Sequence, residues 1–418
     1  MNFLSSLMLE LSERTASADF AQLARHPDFP HAFTRSRKLP LPALIAALVS
    51  MRNHSQQVML DGFFASVCGS PYPLREISDR AFAQARDRLH QPALVSLNDL
   101  VVSRAEEAGL VERWCGLRVV AADASLLKPA VRPCLLARSA AGIDQRLFAL
   151  YLPGAELTLH ASVHSSLVAE RCMLVEALDR LGPDDVLVLD RGYPAAWLVA
   201  LLNARGIRFV MRCDNDGGWK AARAFLRSGQ AEAWVTLKAP SAAEVRDWDC
   251  PTAAPTLRLV RQCTPDGRVR VLATHLDADA FPAVLFGALY HQRWRIEEAF
   301  KRLKHRLHLE AVSGLSQQAL IIDVAAKVLA DNIASLMCAD AAEQADLATR
   351  SRKCNRSYAT HFVQHLLPRL MLFIGDVCTA LDDALRLLGA TSQRFVSGRS
   401  RPRPSRHVKP HPSCAYKG

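Results

Sequence analysis

Asp185-Val-Leu-Val-Leu-Asp190-Arg-Gly-Tyr-Pro194 is the stretch that decides the fold class. An apolar run this short, closed by a turn signal, reads as a strand buried on both faces, as in parallel sheets. Arg118-Val-Val-Ala-Ala-Asp123 is a second run of the same kind. Each places an Asp at a strand's carboxyl end, where open α/β sheets put their sites. Either Asp taken singly reads more readily as a turn or helix-cap residue. A third segment changes that balance: Tyr290-His-Gln-Arg-Trp-Arg-Ile-Glu-Glu-Ala-Phe-Lys-Arg-Leu-Lys304, with no Gly or Pro from Tyr290 to Glu310. It predicts one continuous helix, with Tyr290, Arg293, Glu297 and Lys304 on one stripe. Ile296, Phe300, Leu303 and Leu307 form the adjoining apolar face that docks on a core. By itself the helix also fits a surface element with an Arg293–Glu297 ion pair. Together, Asp123, Asp190 and Glu297 supply three oxygen donors for a hard divalent cation, flanked by cations that grip phosphate. Mg²⁺ takes few carboxylates plus water and phosphate oxygens, and two such ions clamp both oxygens of an in-line phosphoryl displacement.

Composition narrows the class without choosing the chemistry. At 418 residues the chain has room for two or three domains, and 50% hydrophobic content marks it as globular. A net charge of +11 calls for a polyanionic partner, either nucleic acid or an acidic membrane surface. No apolar run reaches the length of a membrane span, and the first cation of the N-terminal segment is Arg14, which disfavours a signal peptide. The 11 cysteines form no C-x-x-C pair, so reduced, mostly buried thiols are expected. Cys354 with His361 and His365, the two His at i,i+4, is a weak zinc alternative that lacks a fourth ligand.

The order Asp123, Asp190, Glu297 resembles the D-D-E pattern of cut-and-paste DNA transposases. Tyr290-x2-Arg293-x3-Glu297-x6-Lys304 is similar to the Y-R-E-K signature of the insertion-sequence-four (IS-four) family. Asp190-Arg-Gly-Tyr193, Leu309-Glu-Ala-Val-Ser-Gly314, Asn332, Phe33-Thr-Arg-Ser-Arg-Lys-Leu-Pro40 and Ser78-Asp-Arg-Ala-Phe-Ala-Gln-Ala-Arg86 resemble further segments of that family, so the likeness spans most of the chain. It implies an α/β, ribonuclease-H-like catalytic domain with a β-rich insertion and an N-terminal helical domain. It also implies cleavage at terminal inverted repeats, strand transfer into target DNA, and assembly as a homodimer on double-stranded DNA. Asp123, Asp190 and Glu297 would be both catalytic residues and metal ligands, holding two Mg²⁺ ions with Mn²⁺ as a substitute. Tyr290, Arg293 and Lys304 would position the DNA backbone. No membrane partner is expected, and a bacterial cytoplasmic location is expected. Two alternatives stay open: a metal-dependent nuclease on the same fold, and an inactive sequence-specific DNA-binding protein derived from a transposase.

The rest of the chain is organised to match. Residues 1–112 read as a helical DNA-binding domain, with helices over Pro40 to Met51, Ser55 to Val67 and Ser78 to Leu89. On the third, Arg80, Gln84 and Arg88 share a face, and Arg and Gln read base edges from a helix in the major groove. Arg35, Arg37 and Lys38 are candidates for phosphate contact. The same residues also suit a small bundle with a solvated basic face. Residues 113–213 hold the first part of the catalytic domain: strands Val119 to Asp123, Arg146 to Tyr151 and Leu157 to Val163, a helix Leu167 to Leu181, the Asp190 strand, a helix Ala195 to Ala204, and a strand Ile207 to Arg212. Residues 214–281 read as the β-rich insertion, with strands Ala233 to Lys238, Leu257 to Cys263 and Arg268 to Thr274, and turns at Asp216-Gly-Gly218 and Pro265-Asp-Gly267. Trp219, Trp234 and Trp248 within it suit core packing or stacking on unpaired bases. Residues 282–392 return to the catalytic domain and end in helices, including Ser316 to Cys338 and Thr360 to Gly375. Residues 393–418 form a basic tail without Asp or Glu, expected to be disordered when free.

Overall fold

In the computed structural model, residues 2–396 are described apart from 36–37, 51–54, 129–143, 214–218, 265–266, 312 and 315. The expected turn at 216–218, Arg37 and most of the basic tail therefore lie outside the described residues, as does all but Gly267 of the turn at 265–267.

Two compact units divide the described chain. One draws on Met1–Gly109, Leu126–Gln145 and Phe300–Gly418, the other on Leu110–Ser125 and Arg146–Ala299. The expected division was different, with separate N-terminal and C-terminal helical parts. Instead, the N-terminal helices α1 (Phe3–Ala16), α2 (Ala18–Leu23), α3 (Leu41–Val49), α4 (Gln56–Cys68), α5 (Asp79–Asp87) and α6 (Gln91–Glu107) share a unit with the last helices of the chain. The capping predictions on α5 hold in detail, since the Ser78 hydroxyl accepts from the Ala81 N–H at 3.2 Å.

The second unit carries the sheet. Its strands are β1 (Arg113–Trp114), β2 (Leu117–Leu127), β3 (Gln145–Leu152) and β4 (Leu157–Ser165), then α7 (Glu170–Glu176), β5 (Asp185–Leu189), α8 (Ala196–Ala204) and β6 (Arg208–Arg212). From β2 onward this β-β-β-α-β-α-β order is the one expected of a ribonuclease-H-like fold, with the short β1 added before it. β2 and β5 pair in parallel, as do β5 and β6. Val186, Leu187, Val188 and Leu189 are all fully buried, as a run apolar on both faces requires. Residues 219–281 then supply α9 (Lys220–Ser228), β7 (Glu232–Thr236), α10 (Ala242–Trp248), β8 (Thr256–Cys263) and β9 (Val269–Thr274). These strands do not make a sheet of their own. β9 pairs antiparallel with β6, so the order runs β4-β3-β2-β5-β6-β9-β8-β7, with β1 beside β2. The two helices here were not anticipated. Trp248 of α10 stacks on Trp197 of α8 with ring centroids 4.4 Å apart, which fixes its role as packing, whereas Trp234 is 54% exposed.

The segment expected as one helix from Tyr290 to Glu310 is broken. It comprises α11 (Phe286–Gln292), α12 (Arg295–Lys301) and a π-helical turn over Arg302–Arg306. At the first break the backbone tightens: Arg293, Trp294, Ile296 and Glu297 each donate to the carbonyl three residues before, at 3.2–3.3 Å. In the first unit, α13 (Gln317–Gln344) packs on α6 and on α15 (Val377–Ala390), and α14 (Arg356–Met371) packs on α3. Buried polar pairs tie this unit together. Asn332 donates to Asn98 at 2.7 Å, and Arg302 reaches both oxygens of Asp331 at 3.0–3.1 Å. β10 (Arg352–Cys354) and β11 (Ser392–Arg394) close it as a small antiparallel pair. Among the described residues no helix is long and apolar enough to cross a membrane.

Candidate active site

The register of β2 against β5 brings the first two carboxylates together. Arg118 faces Asp185 and Ala121 faces Val188. That offset, 185 − 118 = 67, is also the offset 190 − 123 = 67 between the two Asp residues, so extending the ladder by two residues sets Asp123 beside Asp190. A buried ion pair pins the register. Arg118 Nε and Nη2 donate to Asp185 Oδ1 and Oδ2 at 2.5 and 2.7 Å, and the Gly182 N–H adds a third bond to Asp185 at 2.7 Å. Asp185 is 2% exposed, so this charge has no recourse to water. β2 runs on to Leu127, so Asp123 lies within the strand rather than at its last residue, two residues beyond Ala121, which faces Val188 of β5.

Arg293 connects Asp123 to the third carboxylate. Its Nη1 lies 3.4 Å from Asp123 Oδ2 and its Nη2 3.8 Å from Glu297 Oε1. The guanidinium also lies over the Trp294 ring, 5.2 Å from its centroid. Asp123 Oδ1 accepts from the Ala124 N–H at 2.9 Å, and Asp190 Oδ1 from the Gly192 N–H at 2.7 Å. Burial pushes the Asp123 carboxyl up to about 7; Arg293 pulls it down, while Asp190 and Glu170 push it further up.

Glu170, at the start of α7, is a further acid near Asp190 that the sequence reading did not single out. Its pKa is raised by burial and by the charge of Asp190, with Arg146 and Arg293 opposing. A Cβ placed on Gly192 would meet Asp190 Oδ1 at 3.1 Å and Glu170 Oε2 at 3.5 Å, so both carboxylates border one point. Tyr193, of the Asp190-Arg-Gly-Tyr193 segment, is fully buried among the same charges, and its hydroxyl has no hydrogen-bond partner. Burial first, and then Glu170, Asp123 and Asp190, hold its phenol well above the ordinary tyrosine range.

The stripe expected to face DNA is arranged otherwise. With the helix broken at Arg293 and widened at 302–306, its four residues no longer share one regular face. Tyr290 is 2% exposed and packs with Val188, Val210 and Leu289, and Arg293 is 5% exposed. Lys304 is 7% exposed, belongs to the other unit, and donates to the Leu126 carbonyl. In that unit Arg80 and Gln84 are exposed on α5, while Arg88 is half-buried with its guanidinium 5.8 Å from the centre of the Phe29 ring. Arg35, Lys38, Gln84 and Arg88 line a cavity of about 740 Å³ there. Within the Leu309 to Gly314 segment Ser313 serves packing: Arg86, 3% exposed, donates to the Ser313 hydroxyl at 2.5 Å, and that hydroxyl donates to Asp323 at 2.7 Å. For the zinc alternative, Cys354 is buried and donates to the Cys338 carbonyl at 3.4 Å, whereas His361 and His365 are exposed.

Residues 141–333 match the family described as the transposase DDE domain. Over that span the chain is similar to a DDE domain. Its activity class is that of a DDE-type DNA transposase. The matched span begins beyond Asp123 and includes Glu170, Asp190 and Glu297. A cryo-EM structure of a piggyBac transposase synaptic complex with hairpin DNA is also similar, at 12% identity and a TM-score of 0.41, covering 94% of this chain and 84% of that one. No curated protein sequence matches the chain.

DDE domains use divalent metal ions. Among the described residues no three His, Cys, Asp or Glu side chains are gathered closely enough to form a finished metal cage. The donor set of the DDE domain nevertheless fits such an ion in kind. It is made of carboxylate oxygens, it leaves a buried hydroxyl unpartnered, and its crowded negative charge is met by one guanidinium. Mg²⁺ needs only one or two protein carboxylates, the remaining positions going to water and substrate phosphate.

Proposed function

We propose that this chain performs cut-and-paste transposition, cleaving DNA at transposon ends and joining the freed 3′ ends to target DNA, with Asp123, Asp190 and Glu297 as its catalytic carboxylates. The observation that carries the reading is the position of Arg293, whose buried guanidinium lies against both Asp123 and Glu297 while the strand register sets Asp190 beside Asp123. The three residues would hold Mg²⁺, two ions in the full reading, with Mn²⁺ as a substitute. The cation supplies Lewis-acid stabilisation of the attacking and leaving oxygens. Arg293 keeps Asp123 and Glu297 turned toward one another and offsets their charge before substrate arrives. Tyr290 and Lys304 act by positioning, through packing under the site and through the Leu126 carbonyl respectively, and the Y-R-E-K spacing supports membership of the IS-four family.

Partner recognition belongs to the helical unit. Arg80 and Gln84 stand exposed on α5, with Arg88 beside a cavity that also receives Arg35 and Lys38. This supports recognition of double-stranded terminal repeats by base-edge contacts from Arg80, Gln84 and Arg88, with phosphate held by the neighbouring cations. Two ends must be joined, so the working assembly is a homodimer on DNA, in a bacterial cytoplasm. The test is cleavage of a supercoiled plasmid bearing the element's own ends. Asp190→Asn and Glu297→Gln each abolish cutting while end binding in a gel-shift assay persists. A variant of either that cuts at the wild-type rate removes that carboxylate from the site. A wild-type enzyme that nicks but never joins a pre-cut 3′-hydroxyl end to target would make the chain a nuclease.

A further inference from the structure

We propose that Glu170 is a fourth carboxylate of this site, taking part in holding the divalent cation on the Asp190 side. The inference rests on the reading of the site given above. It begins with how α7 is attached. Arg171, the next residue, donates from Nε to the Gly192 carbonyl and from Nη2 to the Pro194 carbonyl, both at 3.1 Å. The start of α7 is thereby fastened to the loop that carries Asp190, and Glu170 cannot drift from it without breaking two charge-assisted bonds. The loop in turn is held to Asp190 by the Gly192 N–H. Glycine at 192 leaves open the point that both carboxylates border, where a side chain would press on the two acids.

Three observations give this arrangement a purpose beyond packing. Glu170 is 29% exposed and faces a shallow cavity of about 420 Å³ shared with Arg146, Arg171 and Gly192, so water or a phosphate oxygen can reach it. Its charge partner is the half-exposed Arg146, at 3.5 Å, a loose pair that a stronger cation can displace. The Tyr193 hydroxyl, fully buried with no partner, lies among Glu170, Asp123 and Asp190. A phenol so placed lacks an acceptor, and a water or phosphate oxygen held at the site would provide one.

The experiment titrates the full-length chain with Mn²⁺ alone, reading free ion by electron paramagnetic resonance. Glu170→Gln weakens Mn²⁺ binding about tenfold or more, the loss seen when a supporting group of a metal site is removed. Glu170→Asp keeps the charge and retains more affinity than Glu170→Gln. Gly192→Ala lowers affinity by displacing the two acids. Glu176→Gln, on the same helix, leaves binding unchanged. Asp190→Asn tests the parent reading separately. If Asp190→Asn weakens binding while folded Glu170→Gln binds Mn²⁺ as the wild type does, the role of Glu170 is overturned and the site stands. If neither change matters, the site itself is wrong. Should Glu170→Gln fail to fold by circular dichroism, the Glu170→Asp and Gly192→Ala pair decides, and wild-type affinity in both refutes the inference.

Discussion

Replacing Asp123 by Asn gives a stability change that depends on pH in a direction fixed by the site. The carboxyl moves from an ordinary value of 3.8 to about 7 in the folded chain, chiefly through burial. A raised acid binds its proton more tightly when folded, so its contribution to stability is complete below pH 3.8. That contribution is lost as pH rises toward 7, and it stays lost above. At roughly 1.4 kcal/mol per tenfold change in proton affinity, the ionised folded state at pH 8 carries a penalty of about 4 kcal/mol. The attraction to Arg293 is already contained in that net shift, and somewhat more than half of the penalty develops above pH 5. Asp123→Asn should therefore gain rather more than about 2 kcal/mol over wild type between pH 5 and pH 8. Equilibrium urea unfolding followed by tryptophan fluorescence in metal-free buffer measures it. Adding Mn²⁺ at pH 8 should raise the stability of wild type more than that of the variant, because a bound cation favours the ionised carboxylate. A wild-type-minus-variant difference that stays flat from pH 5 to pH 8 would refute the reasoning, since Asp123 would then be ionised and compensated throughout.

Arg118→Ala strands a fully buried Asp185 and should cost about 3–5 kcal/mol in the same unfolding assay, whereas replacing an exposed pair such as Arg386 with Asp383 should cost less than about 1 kcal/mol. Arg80→Ala should reduce preference for transposon-end DNA over random duplex by about 1–3 kcal/mol, and an equal loss on both duplexes would show contact with phosphate only. Lys304→Ala should lower stability without changing the slope of log affinity for DNA against log salt, because its ammonium is spent on the Leu126 carbonyl; a slope shallower by about one would place it on phosphate after all.

The parts of this molecule legible in the sequence are those where one physical cue dominates. The runs Val119 to Ala122 and Val186 to Leu189 could only be buried strands, and the Ser78 cap announced α5. The break at Arg293 could not be read, because no residue there lacks helical propensity. What marks it is tertiary contact: Arg293 reaches Asp123 and Glu297 there, while Tyr290 packs in the core beneath. Glu170 carried no local signal either, since its proximity to Asp190 depends on Arg171 reaching across to the loop after β5. α10 is a different case. Ser241-Ala-Ala-Glu244 forms a capping box, with Ser241 accepting from Glu244 N–H at 3.3 Å and Glu244 accepting from Ser241 N–H at 2.8 Å, a local helix-start signal that the reading of residues 214–281 as strands did not take up.

The Arg118–Asp185 pair has a consequence for how the chain tolerates change in length. Five residues lead from Arg118 to Asp123 and five from Asp185 to Asp190, so the ion pair acts as a common origin from which both acids are counted. Chain added between the two strands alters the 67-residue interval but not either count, and the acids still arrive side by side. One residue gained or lost inside either four-residue spacer turns an Asp to the opposite face of the sheet. Loop surgery and spacer surgery of equal size should thus have opposite outcomes in this protein.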